Sequence, residues 1–233
     1  MKPNDSQWTR VTSGAAIIIA IYGALYLQLG WLGLAVWVLV FWVPVLAVRL
    51  TFWVPLHRWR RHRQKGRKAL WRVVAGVWLT SLVLVAVSLP TLLSYVTEPP
   101  MWVKVGGFIA LAGGIFVMLW TITVLGWRRL LALPVIDHSS ETPNRGGLEV
   151  HGPYTVMRHP LYFSEVLQFL GVYMLSGVTS VLVLLATWLG VVFLITRVEE
   201  RELMERLGDE YAAYCRRVGM FMPRWRRGGT NRN

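Results

Sequence analysis

Two short polar motifs interrupt an otherwise apolar chain, and both carry residue types that can do chemistry. The first is Arg158-His159-Pro160, which stands directly before an apolar segment. Proline suits the first turn of a helix, and the free N–H groups of that turn favour an anionic ligand. The guanidinium of Arg158 adds a fork that fits a carboxylate or a phosphate. Alternatively, the arginine sets membrane topology and the histidine caps the helix.

The second motif is Glu199-Glu200, which follows the next apolar segment. Helical periodicity over residues 195–218 places Glu199 on the same stripe as Leu203 and Tyr211, with Glu200 beside it. A carboxylate that faces inward at the end of a membrane helix is costly and is usually paired or functional. Alternatively, both glutamates are flanking charges that pair with nearby arginines.

Other acidic residues of the same segment serve as a comparison. Glu202 and Glu205 fall largely on the flanks and the outer face of the predicted helix, away from the apolar stripe. Single charges in contact with water contribute little. We therefore expect Glu199 to matter more than Glu202 or Glu205.

Composition indicates which elements must position these motifs. Of the 233 residues, 55% are hydrophobic and 16% are charged, against about a quarter charged in a typical soluble domain. Several apolar runs reach the roughly 20 residues needed to cross a bilayer. The chain is therefore predicted to be an all-α, polytopic integral membrane bundle of about six segments. These segments are 13–29, 32–54, 70–93, 101–126, 160–176 and 178–197.

The distribution of charge predicts the orientation. The net charge of +13 comes from basic residues concentrated in 55–69, 126–160 and the C-terminal tail. Such stretches face the cytoplasm, so six spans would place both termini and the Arg-His-Pro loop on the cytoplasmic side. Five spans would follow if one short segment fails to cross. This explanation of the charge argues against nucleic-acid binding.

The chain divides into two regions. Residues 1–125 form N-terminal transmembrane helices, in which the small residues Gly106, Ala110 and Gly114 predict a close helix contact. Residues 126–233 form the functional core, with a loop (126–159), a helical hairpin (160–197) and a C-terminal amphipathic helix (198–218). Because the hairpin returns to the side on which it started, the two polar motifs should meet. A cation beside two carboxylates at the membrane boundary suits a zwitterionic soluble ligand and an amphiphilic second substrate.

Both motifs and their spacing resemble one family. The stretches "GPYTVMRHPLYFSEVL" and "EERELMERLGDEYAAYCRRVGMFMP" resemble the isoprenylcysteine carboxyl methyltransferase and phospholipid methyltransferase superfamily over roughly residues 125–224. The matching positions of the first half are Gly152, Pro153, Tyr154, Arg158, His159, Pro160 and Tyr162. Those of the second half are Glu199, Glu200, Leu203, Gly208, Tyr211, Tyr214 and Pro223.

This resemblance implies S-adenosylmethionine as methyl donor and a lipid or prenylated acceptor that enters from the bilayer. The implied catalytic residues are Arg158, His159, Glu199 and Tyr162. The implied cofactor-binding residues are His151, Gly152, Pro153, Tyr154, Arg158, His159, Pro160, Tyr162, Glu199 and Glu200. The acceptor stays open between a prenylcysteine carboxylate, a phospholipid amine and a small isoprenoid acid or thiol. A dedicated general base is not identified, with Tyr162 and the paired glutamates as weak candidates.

Two other functions stay open. A membrane NADPH-dependent reductase of the sterol and isoprenoid type resembles the superfamily in its C-terminal helices, but it would need further basic residues for the cofactor phosphate. A non-catalytic membrane scaffold would not need the four residues Arg158, His159, Glu199 and Glu200. The five histidines form no ligand pattern, so no metal site is predicted. The polar loop 136–151 does not fit the family pattern.

Overall fold

The computed structural model describes residues 30–47, 67–125 and 148–222, together with the isolated positions 20, 24 and 27. Within these ranges the chain is helical and contains no β-strand, so the predicted all-α class is confirmed. A single 3₁₀ turn spans Gly152–Thr155. The α-helices are α1 (Gly30–Ala47), α2 (Arg67–Leu92), α3 (Met101–Leu125), α4 (Pro160–Ser176), α5 (Thr179–Leu207) and α6 (Asp209–Arg217).

Four of the described helices are long and apolar enough to cross a membrane, namely α1, the Ala75–Leu92 part of α2, α3 and α5. The protein is therefore an integral membrane protein. Helix α4 has 17 residues, about 25 Å at 1.5 Å per residue, and is shorter than the roughly 30 Å hydrocarbon core. The first predicted segment, 13–29, lies outside the described residues apart from its isolated positions, so the count of six stays a prediction.

Glycines bring α3 and α4 into close contact. A Cβ added to Gly171 of α4 would lie 2.6 Å from the backbone nitrogen of Leu111, and one added to Gly107 would lie 3.0 Å from the carbonyl oxygen of Gly171. At Gly114 the added Cβ would lie 2.8 Å from the carbonyl oxygen of Ser164. The predicted close contact is confirmed at Gly114, and an added Cβ at Gly106 would also lie 2.9 Å from Cε of Met174 in α4. Between them the buried face runs through Gly107 and Leu111 rather than Ala110.

An aromatic cluster joins α1 to the α4–α5 hairpin. The ring of Trp42 meets Phe169 at 5.2 Å and Trp188 at 5.5 Å, and these two rings meet each other at 5.8 Å, all edge to face. Phe169 and Trp188 are completely buried. Edge-to-face pairs contribute about 0.5–1.5 kcal/mol each beyond area burial, so this cluster fixes how the three helices pack.

The connections between helices gather at the two ends of the bundle. At one end, the turn between α4 and α5 pairs with the connection between α2 and α3, through a bridge between Val96 and Val178. Gly177 adopts a φ of +66° there, and a Cβ at this position would collide with the carbonyl of Thr97. At the other end, Met157 pairs with Gly219. The polar motifs lie at this second end.

The C-terminal helix expected over 198–218 is two helices. Helix α5 continues without a break from the membrane segment to Leu207, and α6 starts after Gly208, whose φ of +52° is a conformation that glycine adopts without steric cost. The predicted apolar stripe nevertheless forms a cluster. Tyr211, Tyr214 and Val218 are buried in it. The side chains packed against them are Leu148, Val150, Leu203, Leu207 and Cys215.

Candidate functional site

The two polar motifs meet, as the hairpin predicted. Arg158 and His159 directly precede α4, and Glu199 and Glu200 lie in the last turns of the antiparallel α5. The Nη2 atom of Arg158 lies 2.8 Å from Oε1 of Glu200, and the Nε2 atom of His159 lies 3.2 Å from the same oxygen. The hairpin therefore closes on an ion pair between its first and last turns.

Glu199 takes the neighbouring position in this cluster. Its Oε1 accepts a hydrogen bond of 2.8 Å from the hydroxyl of Tyr162, and its Oε2 lies 3.6 Å from Nδ1 of His159. His159 thus turns one ring nitrogen toward each glutamate. A doubly protonated imidazole has a donor for both carboxylates, whereas the neutral ring has a donor for one.

Burial makes this cluster electrostatically strong. The side-chain exposure is 10% for Arg158, 7% for His159, 28% for Glu199 and 20% for Glu200. The ring of His159 stacks on Tyr162 at 5.9 Å and meets Phe221 at 5.8 Å. Charges interact more strongly where water is excluded, so the arrangement holds both carboxylates close to a bundle interior without leaving them uncompensated.

The segment after α6 closes the cluster from outside. The backbone N–H of Arg158 donates to the carbonyl of Gly219 at 2.9 Å, and that of His159 donates to the carbonyl of Met220 at 3.1 Å. The Nη1 of Arg158 lies 3.4 Å from the carbonyl oxygens of Cys215 and Val218. Its Nε is buried and has no hydrogen-bond partner among the described residues. Arg158 therefore links three parts of the chain and keeps one unused donor.

The Gly152-Pro153-Tyr154 motif forms the 3₁₀ turn that leads into the cluster. Gly152 has a φ of +58°, and a Cβ there would lie 2.6 Å from Cγ2 of Val124, at the end of α3. The glycine is thus required by packing against α3. The hydroxyl of Tyr214 donates a 2.7 Å hydrogen bond to the carbonyl of Tyr154, which ties the turn to α6. Burial raises the pKa of Tyr214 to about 12, so this donor stays protonated in the physiological range.

One residue expected at the site lies away from the cluster. His151 is exposed, and its Nδ1 lies 3.1 Å from Glu149 rather than near either polar motif. Glu205 is exposed on α5, as its position off the apolar stripe predicted, whereas Glu202 is only partly exposed. Pro160 is buried at the first position of α4.

Sequence reasoning missed two residues near the cluster. Phe221 contacts the His159 ring from beyond α6, and no local pattern predicts that contact. Glu165 is 2% exposed within α4. Its signal was present in the sequence, because an acidic residue inside an apolar segment is by itself an indication of function.

Comparisons with known proteins agree with this geometry. Residues 102–210, which contain both polar motifs, match the family model described as phospholipid methyltransferase. The chain is 29% identical over 121 residues to methanethiol S-methyltransferase of Mycobacterium tuberculosis, which covers 46% of this chain and 49% of the relative. It thus spans about half the length of that curated relative. No solved structure matches. Residues 102–210 are thus similar to phospholipid methyltransferases, and about half of the chain is similar to a curated methyltransferase.

Proposed function

We propose that this membrane methyltransferase transfers a methyl group from S-adenosylmethionine to a lipid or prenylated acceptor that arrives through the bilayer. The observation that carries the proposal is the buried cluster of Arg158, His159, Glu199 and Glu200 at one end of the bundle. It lies inside the segment that matches the family model. It also lies next to helices long enough to span the membrane.

The cluster fits the charge of the donor. The side chains of Arg158, Glu199 and Glu200 together carry a charge of −1, whereas S-adenosylmethionine carries a sulfonium, an ammonium and a carboxylate and sums to +1. The unused, buried Nε of Arg158 offers a donor to a carboxylate oxygen. Charge-assisted hydrogen bonds of this kind are about twice as strong as neutral ones. The opposite net charges and the unsatisfied hydrogen-bond donor of Arg158 both favour S-adenosylmethionine as the ligand of this cluster.

Each residue then has a role in binding. Arg158 and His159 hold the carboxylate of the donor, and Glu199 holds its ammonium or ribose while the Tyr162 hydroxyl fixes the carboxylate rotamer of Glu199. Glu200 keeps Arg158 in place. When bound, the donor supplies an electrophilic methyl group. The protein aligns the acceptor with it and excludes water, and such alignment can contribute up to roughly 7–11 kcal/mol.

The acceptor has three candidate classes. The family description favours a phospholipid amine, and a prenylcysteine carboxylate is the corresponding acceptor in the other branch of the superfamily resemblance. A thiol is the third candidate, because the curated relative is named for methyl transfer to methanethiol. Membranes that contain the protein, incubated with methyl-labelled donor, would reveal which lipid or thiol fraction carries the label.

The orientation of the site belongs to the same proposal. We place both termini and the cluster on the cytoplasmic side, where the basic stretches favour them and where the soluble donor is made. Single cysteines introduced into a Cys215→Ser background at positions in 55–69 and 216–233 should react only with reagents added from the cytoplasm. Labelling of either stretch from the outside would refute the orientation.

Calorimetry with the purified protein tests the donor. Binding of S-adenosylmethionine, with no competition from a reduced nicotinamide dinucleotide, is the expected result. Binding of the dinucleotide instead would support a membrane reductase, and binding of neither would support a scaffold. Arg158→Ala should weaken donor binding by roughly tenfold to a hundredfold, the equivalent of about 1.5–3 kcal/mol. Unchanged affinity in that variant would remove Arg158 from the donor site.

A further inference from the structure

Glu165 is a buried carboxyl group that the donor site does not use. It lies in α4 with 2% of its surface exposed, and it is the only acidic side chain that is buried among the described residues. Acidic groups inside membrane helices are rare and costly, and they mark substrate or proton pathways. Neither of the two polar motifs includes it. Its placement inside the bundle therefore calls for a function of its own.

The position of Glu165 relative to the cluster indicates that function. It follows Tyr162 by three residues, so it lies on a neighbouring part of the helix surface and about 4.5 Å further along the axis. Arg158 and His159 precede the helix on the other side of Tyr162. Glu165 thus lies deeper in the bundle than the contact between Tyr162 and Glu199. An acceptor that enters from the bilayer interior would reach the level of Glu165 before it reaches the level of Tyr162 and Glu199.

Near Glu165 along the hairpin lie further polar side chains, which carry a hydroxyl or an amide. Thr196 of α5 lies one turn before Glu199, is completely buried, and donates to the carbonyl of Val192 at 2.8 Å. Gln168 of α4 is 2% exposed and donates to the carbonyl of Ser164 at 3.3 Å. A hydroxyl or an amide cannot accept a proton near neutral pH. Glu165 is the group of this layer that can.

We propose that Glu165 is the acceptor-side residue of this enzyme, and that its carboxylate takes the proton of a protic acceptor. The inference rests on the proposed methyl transfer. In the step, the S–H or N–H bond of the acceptor breaks and the proton goes to Glu165. The freed electron pair forms the bond to the methyl carbon. The carbon–sulfur bond of the sulfonium breaks, and its electrons stay on sulfur as a neutral thioether.

This role narrows the class of acceptor. A carboxylate acceptor needs no proton removal and would be repelled by an ionised Glu165 in a site of low dielectric constant. A thiol or an ammonium group must lose a proton before it can attack, and a nearby carboxylate favours that loss. The inferred substrate class is therefore a protic nucleophile, either a thiol or a lipid amine, rather than a prenylcysteine carboxylate.

The charged groups around this layer define what a pH profile would report. The described part of α1 has no titratable side chain, and Lys104, the only one in α3, pairs with Glu98 at the opposite end of the bundle. The titratable groups at the end of Glu165 include Tyr162, the cluster Arg158, His159, Glu199 and Glu200, and the α6 residues Tyr211, Tyr214 and Cys215 next to that cluster. A variant that changes Glu165 alone leaves those groups in place. A difference between its pH profile of turnover and that of the unaltered protein is therefore caused by Glu165.

The test compares Glu165→Gln with Glu205→Gln, an exposed glutamate of α5. Methyl transfer to a hydrophobic thiol, to vesicles containing phosphatidylethanolamine and to a prenylcysteine would be measured in separate arms. Turnover of the thiol or the amine should fall at least about 100-fold in Glu165→Gln at neutral pH, the lower range for a general base. It should recover as the pH rises toward the pKa of the acceptor, because the acceptor then ionises unaided. Glu205→Gln should match the unaltered protein.

Two readouts independent of turnover complete the test. Donor affinity by calorimetry should stay within about twofold in Glu165→Gln, and the infrared carbonyl band of a protonated carboxylic acid should change on addition of acceptor in the unaltered protein only. If Glu165→Gln does not fold, Glu165→Asp keeps the carboxylate and should keep the pH profile of turnover. Equal turnover and equal profiles in Glu165→Gln and the unaltered protein would overturn the inference, as would preferred methylation of the prenylcysteine. Absence of donor binding in the unaltered protein would instead refute the proposed function.

Discussion

Removing the charge of Glu200 while keeping its shape probes the cluster most directly. In Glu200→Gln, the contacts of 2.8 Å to Arg158 and 3.2 Å to His159 lose their carboxylate. The amide oxygen still accepts a neutral hydrogen bond, so the side chain keeps its place. Arg158, which is 10% exposed, then remains in the bundle without its counter-charge. The variant therefore measures the electrostatic part of the interaction alone.

The structure sets the size of the effect. Hydrogen bonds to charged groups contribute about 1.5–3 kcal/mol and neutral ones about 1 kcal/mol. Two charged contacts are replaced by one neutral contact, but Glu200 is 20% exposed and water screens part of the loss. We therefore expect the free energy of unfolding to decrease by about 1.5–2 kcal/mol, close to the lower end of the range for one hydrogen bond to a charged group. At about 2–4 °C per kcal/mol for a chain of this length, the unfolding temperature should fall by about 3–8 °C.

The assay is thermal unfolding in detergent, with donor binding measured on the same preparations. Glu205→Gln is the matched control, because it makes the same substitution on the same helix at an exposed position. It should change the unfolding temperature by less than about 1 °C, as expected for a solvated charge worth a few tenths of a kcal/mol. Equal unfolding temperatures for the two variants would show that the ion pair at the end of the hairpin does not stabilise the fold.

Three further predictions concern separate parts of the site and fold. Glu199→Gln should fold normally but bind the donor roughly tenfold to a hundredfold more weakly by calorimetry, since it removes one charge-assisted contact; affinity equal to that of the unaltered protein would contradict the role given to Glu199. Gly171→Ala should lower the unfolding temperature in detergent, because its Cβ would lie 2.6 Å from a backbone nitrogen, whereas Gly190→Ala, with no atom within 4 Å, should not. Tyr214 has a pKa raised from about 10 to about 12, so its stabilising contribution is complete below about pH 10 and is lost as the pH rises toward 12. Tyr214→Phe should remove that part of the alkaline stability profile; an unchanged profile would show that the phenol does not titrate as inferred.

Helical periodicity was enough to predict how the two motifs of the site meet. A hairpin of two apolar segments must return to its starting side, so Arg158 and Glu200 had to come close whatever the details of packing. The helical spacing of the apolar residues also predicted that Glu199 faces the bundle and that Glu205 faces outward. The structure confirms both, because Glu199 bonds to Tyr162 and Glu205 is exposed. The first feature follows from the return of the hairpin and the second from the repeat of the helix.

Features that depend on contacts between distant segments were not predictable from the same rules. The close contact of α3 through Gly107 and Leu111 depends on Gly171 of another helix, so α3 alone did not predict it. Gly208 lies within a helical pattern. A glycine at such a position can either be tolerated inside a helix or end it, so the pattern did not predict the break. The pairing of Arg158 and His159 with residues 219–220 is a backbone contact, and backbone contacts leave no residue pattern.

The order of residues along α4 separates the charged cluster from the apolar interior of the bundle. Under the proposed function, the residues that would bind a soluble, charged donor stand before its first turn, and Tyr162 with Glu199 forms the next layer inward. Glu165 stands beyond that layer, within the apolar interior. In the proposed reaction a methyl group moves from a polar molecule to a membrane-borne one, so the donor and the acceptor would approach from opposite sides of one narrow layer. The start of a helix at the membrane boundary provides both environments within two turns, which explains why the chain keeps an arginine, a histidine and a proline directly before an apolar segment.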